Sequence, residues 1–123
     1  MAKTVLVVDD SSSLRALVKL ALTRAGYAVI EGADGKEALS RLDQVGKVHL
    51  IVSDVNMPNM DGITFVRQLK QHPKHKFIPV IMLTTEDEQA KMQQAKAAGA
   101  RAWLIKPFNP PELLDVVSQL AAA

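Results

Sequence analysis

The chain has 123 residues, 48% hydrophobic and 23% charged, with a formal net charge of +2 and no cysteine. That length suits one domain with one core, able to remove about two-thirds of the extended chain's surface from water on folding. No apolar run approaches the ~20 residues of a membrane span, and the absence of cysteine excludes disulfides, thiolate metal sites and thiol nucleophiles. The basic residues are scattered, without the aromatic interleaving or stripe that a nucleic-acid interface needs.

The start, MAKTVLVVDDSSS, places acids directly after a short apolar run and offers no cleavage pattern, so it reads as part of the working protein. A single domain over 1–123, monomeric and cytoplasmic, is expected. Along the chain, the first branched-apolar run is Thr4–Val8. Ser11 to Ser13 then supply helix-starting residues before LRALVKLALTRA, and Gly26 closes that segment. Runs at Ala28–Glu31, Val48–Ser53, Ile78–Leu83 and Ala102–Ile105 follow; Gly99 ends the Ala-rich fourth helical segment and Pro110-Pro111 opens the last. Runs one, three and four (VLVV, HLIV, IPVIML) are nearly continuous rather than alternating, which fits parallel strands covered on both faces. Five βα units with right-handed crossovers make a doubly wound three-layer α/β sandwich, its strand order open at this point.

In open parallel sheets, ligands gather outside the carboxyl ends of the strands, where helix N-termini and short loops converge. Run one ends in Asp9-Asp10, run three in Asp54, run four in Thr84-Thr85-Glu86 and run five in Lys106-Pro107. Each has a plain structural reading alone: acids after strands cap helices, Asp61-Gly62 is a turn or cap, Lys106 is a surface lysine and Thr84 a strand-end hydroxyl. Their convergence on one sheet edge outweighs those readings. Clustered carboxylates in a partly desolvated cleft repel unless a hard cation joins them, and Mg²⁺, which keeps several waters, suits a shallow oxygen-lined cleft better than Ca²⁺. A carboxylate can attack phosphorus, a transfer that needs positioning and charge neutralisation above all. In that reading Asp54 is the acceptor, Asp10 and Asp54 hold the metal, Lys106 supplies a compact positive charge, and Thr84 donates to a phosphoryl oxygen.

VLVVDDSSSLR, SDVNMPNMDG around Asp54, MLTTE around Thr84 and WLIKPF around Lys106 occur in an order and spacing that resemble the receiver domain of bacterial two-component response regulators, most closely the stand-alone chemotaxis regulators. The likeness covers the whole chain. It implies a flavodoxin-like (βα)5 fold with sheet order 2-1-3-4-5, an order of which this family is itself a standing example. It further implies that a histidine kinase is the phosphodonor, that the Asn56 main-chain carbonyl joins the metal ligands with Asp9 acting through water, and that Lys106-Pro107 is cis. On phosphorylation the Thr84 hydroxyl would move inward and Trp103 change rotamer, remodelling a helix 4, strand 5 and helix 5 face that includes Met92 and Lys96 and docks a downstream protein. The chain would act as a regulator that catalyses only its own phosphorylation and dephosphorylation. Thr85, larger than the residue frequent at its place, and Trp103, in place of tyrosine or phenylalanine, depart from the common pattern; Trp103 also reads simply as a core aromatic.

HPKHK, with His72 and His75, reads as a solvated loop rather than a metal tract. The methionines at 57, 60, 82 and 92 read as packing or partner-facing residues, and Lys91, Lys96 and Arg101 as solvated charges. Four other functions fit parts of this pattern. A receiver-like contact module needs no intact acceptor site, a phosphorelay intermediate would use the same chemistry, and a haloacid-dehalogenase-type phosphohydrolase wants a second acid where Asn56 stands. An FMN protein is disfavoured because DDSSSLR would set two acids against the phosphate.

Overall fold

The computed structural model describes residues 2–85 and 90–121. The elements alternate strictly: β1 (Thr4–Val8), α1 (Ser12–Arg24), β2 (Ala28–Gly32), α2 (Gly35–Gln44), β3 (Leu50–Asp54), α3 (Gly62–Gln71), β4 (Val80–Thr84), α4 (Ala90–Ala98), β5 (Ala102–Ile105) and α5 (Pro110–Ala121). All four strand pairings are parallel, in the order β2-β1-β3-β4-β5. The flavodoxin-like order expected from the motifs is therefore the one found.

Every residue of β3 and β4 is buried, as continuous apolar runs covered by helices require. Because side chains alternate across a strand, the sheet divides the core in two. Leu6, Val8, Ile51, Val80 and Met82 face the layer of α2, α3 and α4, with Ala38, Leu42, Phe65, Leu69 and Ala95. Val5, Val7, Leu50, Val52, Ile81 and Leu83 face α1 and α5, with Val18, Leu22, Leu113 and Val117.

Local chemistry starts the helices. Ser11 Oγ accepts from Leu14 N–H at 3.2 Å, Asp34 Oδ1 from Glu37 N–H at 2.8 Å, and Asp61 Oδ1 from Thr64 N–H at 2.8 Å. Before α5, Asn109 and Glu112 exchange side-chain-to-backbone bonds at 2.9 and 3.4 Å, a capping box around the two prolines of the first turn. Gly26 and Gly99, at φ +97° and +120°, end α1 and α4 in the left-handed region as the sequence signals anticipate.

Three strands have bounds that differ from the apolar runs. β2 continues to Gly32, while β3 and β4 start two residues later than expected and run one residue further, to Asp54 and Thr84. An apolar run stops at its first polar residue, whereas the backbone ladder does not read side chains; Asp54 is still in register with Leu83, and Thr84 with Ile105. Both groups thus sit on the last rung of a rigid strand.

Gly62 shows why a glycine must follow the Asp61 cap. A Cβ there would lie 2.1 Å from the Asp54 carbonyl oxygen and 2.9 Å from Met82 Cε, while Gly62 N–H donates to Val55 O at 2.8 Å. Gly62→Ala is expected to cost about 1–3 kcal/mol or more in urea unfolding, the range for overpacking a tight core. Gly46→Ala, whose new methyl would meet nothing within 4 Å, should stay within about 1 kcal/mol of wild type.

Candidate functional site

β1 and β3 are neighbours although α1, β2 and α2 lie between them in the chain, and the crossover direction reverses between them. That switch point brings Asp9 and Asp10, just past β1, beside Asp54 at the end of β3. One carboxylate oxygen from each lies within 4.8 Å of the other two. Asp9 and Asp54 are buried and Asp10 is exposed, so the cluster opens to solvent on the Asp10 side.

Backbone groups hold the two buried acids. Asp9 N–H donates to Gly32 O at 3.1 Å, and Asp9 Oδ1 accepts from Ser11 N–H at 2.8 Å. Asp54 Oδ1 accepts from Val55 N–H at 2.9 Å. Lys106 reaches across from the end of β5, its Nζ 3.2 Å from Asp54 Oδ1 and 3.3 Å from Asp9 Oδ2. Its backbone N–H donates to Thr84 O at 2.6 Å, and the Lys106-Pro107 bond is cis, as the resemblance implied.

The electrostatics show a site short of positive charge. Burial, and then the neighbouring Asp9 carboxylate, push the Asp54 pKa up to about 6, with Lys106 and the Val55 N–H opposing them only in part. Burial works against the Lys106 ammonium, but Asp54 and Asp9 outweigh it and its pKa is raised. Thr84 is fully buried, and its Oγ1 has no hydrogen-bond partner. A buried hydroxyl normally finds one, and Thr84 stands on the last rung of β4, whose main-chain oxygen accepts from Lys106 N–H. Three carboxylates with oxygens within 4.8 Å of one another, one of them exposed, fit a hard divalent cation with oxygen ligands.

The other expected residues divide. Asn56 is exposed two positions after Asp54, and its side-chain oxygen accepts from Lys91 Nζ at 2.8 Å. Lys91, read from sequence as a solvated charge, is therefore tied to the acceptor loop from the first turn of α4. Thr85 lines a shallow groove with Leu14, Leu17, Lys106, Pro107 and Phe108; Glu86 lies outside the described residues. Trp103 is partly buried on β5, in register with Met82 and packed on the α2–α3–α4 side, so its reading as a core aromatic holds in part. Met92 is partly exposed and Lys96 exposed on α4, away from the acidic cluster and suitably placed for a surface role only. Met57, Met60 and Met82 pack in or against the core.

Two further residues had no clear chemical signal. Asp61-Gly62 is a cap as expected, but Gly62 also seats α3 against the Asp54 carbonyl. The HPKHK segment is a turn, yet His75 is only 12% exposed and both His72 and His75 face Asp43, which corrects the picture of solvated histidines.

Comparison with known proteins agrees with this geometry. The family model of the response regulator receiver domain matches residues 5–118. The chemotaxis protein CheY1 of Helicobacter pylori (strain 26695) is 40% identical over 116 residues, covering 91% of this chain and 94% of its own. The crystal structure of the chemotaxis response regulator CheY4 of Vibrio cholerae superposes with a TM-score of 0.90 at 46% identity, covering 98% of this chain and 99% of that one. The receiver domain of a sensor histidine kinase from Pseudomonas aeruginosa PAO1 superposes with a TM-score of 0.89 at 25% identity over the full length of both chains, and that protein holds a magnesium ion in its active-site cleft. With five strands in the family's order and an acidic cleft closed by lysine at the switch point, this chain belongs to the response regulator receiver domain family.

Proposed function

We propose that Asp54 accepts a phosphoryl group from a histidine kinase and that the phosphorylated chain signals to a protein partner in the control of chemotaxis. The observation that carries the chemistry is the pairing of Lys106 with both Asp9 and Asp54, beside a buried Thr84 hydroxyl with no partner. An Asp54 carboxylate oxygen attacks the donor's phosphorus, forming an O–P bond as the bond from phosphorus to the donor's nitrogen or oxygen breaks. The leaving group keeps that electron pair. Lys106 is freed from sharing two carboxylates and turns to a phosphoryl oxygen, and Thr84 donates to another. Water then attacks the phosphorus, the O–P bond to Asp54 breaks and inorganic phosphate leaves, so the chain catalyses only its own phosphorylation and dephosphorylation and acts as a regulator.

Asp10 and Asp54, with the Asn56 carbonyl and with Asp9 through water, would hold Mg²⁺. When bound, the ion would supply positive charge to buried carboxylates whose burial and mutual repulsion raise the Asp54 pKa. The magnesium in the P. aeruginosa relative supports this assignment. The relatives named as chemotaxis proteins, each matched over nearly its full length, support the pathway. Thr84 and Trp103 lie on the same face of adjacent strands, since Met82, two residues before Thr84, is paired with Trp103. Inward movement of the hydroxyl would be felt there and passed to α4, β5 and α5, where Met92, Lys96 and the 38% exposed Ile105 offer a docking face. No helix among the described residues is long and apolar enough to cross a membrane.

Incubation with a small acyl-phosphate donor and Mg²⁺ should add about 80 Da, one phosphoryl group, to the wild type and nothing to Asp54→Asn. An adduct on the variant, or none on the wild type, would overturn the assignment. Chelating the metal should suppress the adduct.

The raised pKa gives a second expectation. Asp54 is neutral in both states below about pH 3.8, but between there and about 6 the unfolded chain has released its proton while the folded chain holds it. The stability this group contributes is therefore full at acid pH and lost as pH rises through about 6. In thermal melts with chelator, Asp54→Asn should melt above wild type at neutral pH, with the gap closing toward acid pH and narrowing when Mg²⁺ is added.

Trp103 is the only tryptophan, so its emission reports the switch directly. A change on phosphorylation that is absent in Thr84→Ala is expected; a flat signal in the wild type would remove Trp103 from the output pathway while leaving the phosphoryl chemistry in place.

A further inference from the structure

We infer that Asp43, His72 and His75 form a second divalent-metal site, for a late first-row ion of the Zn²⁺ class, at the opposite edge of the sheet from Asp54. Asp43 lies in the last turn of α2, His72 follows α3, and His75 sits in the turn before β4, so the trio ties three segments together at the amino ends of the strands. His72 Nε2 and His75 Nε2 are each 3.6 Å from the same oxygen, Asp43 Oδ1. The three ligand atoms all lie within 4.8 Å of one another.

Those separations are too long for hydrogen bonds and close to what a shared ion imposes. Ligand atoms about 2.0–2.2 Å from a tetrahedral zinc ion stand about 3.3–3.6 Å apart, so both histidine-to-Asp43 separations already match, and the two imidazole nitrogens, within 4.8 Å of each other, have to draw together to that spacing. His75 Nε2 is buried and has no hydrogen-bond partner, an unusual state for a ring nitrogen, and an ion facing Asp43 would satisfy it. The two rings stack with centroids 4.2 Å apart, and both present Nε2 to the same Asp43 oxygen. Asp43 is 67% exposed, leaving a route for entry and room for a water as fourth ligand. The donor set separates the two sites chemically: two imidazoles and a carboxylate select Zn²⁺, Ni²⁺ or Cu²⁺, whereas the three carboxylates at Asp54 select a hard ion such as Mg²⁺.

Loading has one structural consequence. Lys74 N–H donates to His72 Nδ1 at 3.1 Å, which places the neutral ring's proton on Nε2. Metal on Nε2 requires that proton on Nδ1, so the ring turns from acceptor to donor and the Lys74 amide loses its bond.

The test is a ZnCl₂ titration of the full chain by amide and imidazole NMR, in excess Mg²⁺ so that the acidic cleft is occupied by its own ion. Saturable binding is expected to move the His72 and His75 imidazole signals and the amides of Asp43 and Lys74, with Asp54 and Asp10 undisturbed. Asp43→Asn and His72→Gln, both at partly exposed positions that spare the core, should each weaken binding roughly tenfold or more while still forming the Asp54 phosphoryl adduct. Absence of saturable binding, perturbation confined to the acidic cleft, or unchanged affinity in both variants would overturn the site.

Discussion

A single ammonium group stands between two buried carboxylates, and the functional edge of this molecule is organised around that shortage. Asp9, Asp10 and Asp54 place three acidic groups together, and among the described residues Lys106 is the one cation paired with two of them. Three negative charges against one positive leave a deficit of two, the charge of one divalent ion. Burial, and after it the neighbouring Asp9 carboxylate, raises the Asp54 pKa to about 6. Such a site favours whatever arrives with positive charge, and once an ion is there it favours whatever carries phosphoryl oxygens.

The fold makes that crowding possible by spending rigidity on it. Asp54 and Thr84 are the last paired residues of two central strands, Asp9 continues the bonding of β1 to β2, and Lys106 follows β5 with its backbone still bonded to Thr84. None of the four depends on a long loop for its place. Like charges are kept close because the ladder, the Ser11 and Val55 amides and the Gly62 contact leave them nowhere else to go.

Much of this was legible in the chain itself, for identifiable reasons. Apolar runs that end in chemistry-bearing residues located the site, since a parallel sheet must present its strand ends along one edge, and the helix boundaries followed from Ser11, Gly26, Gly99 and the paired prolines. What was not legible depends on distance rather than type. The ladder carries Asp54 and Thr84 inside strands that hydropathy ends one residue earlier. Lys91 looks like any surface lysine until α4 is packed beside the acceptor loop, and Asp43 is separated by about thirty residues from the histidines it meets. Gly62 gave a turn signal, but only the Asp54 carbonyl explains why no side chain fits.

The division of the core by the sheet bears on how information leaves this domain. Thr84, Met82 and Trp103 belong to the side covered by α2, α3 and α4, while Leu83, Ile81 and Leu104 anchor α1 and α5 on the other. In the proposed switch, a movement of the Thr84 hydroxyl would reach Trp103 and α4 on its own face of the sheet, and α5 only by way of β5. The sheet is thus a partition as well as a scaffold, and β5, at its edge, is where the two compartments meet.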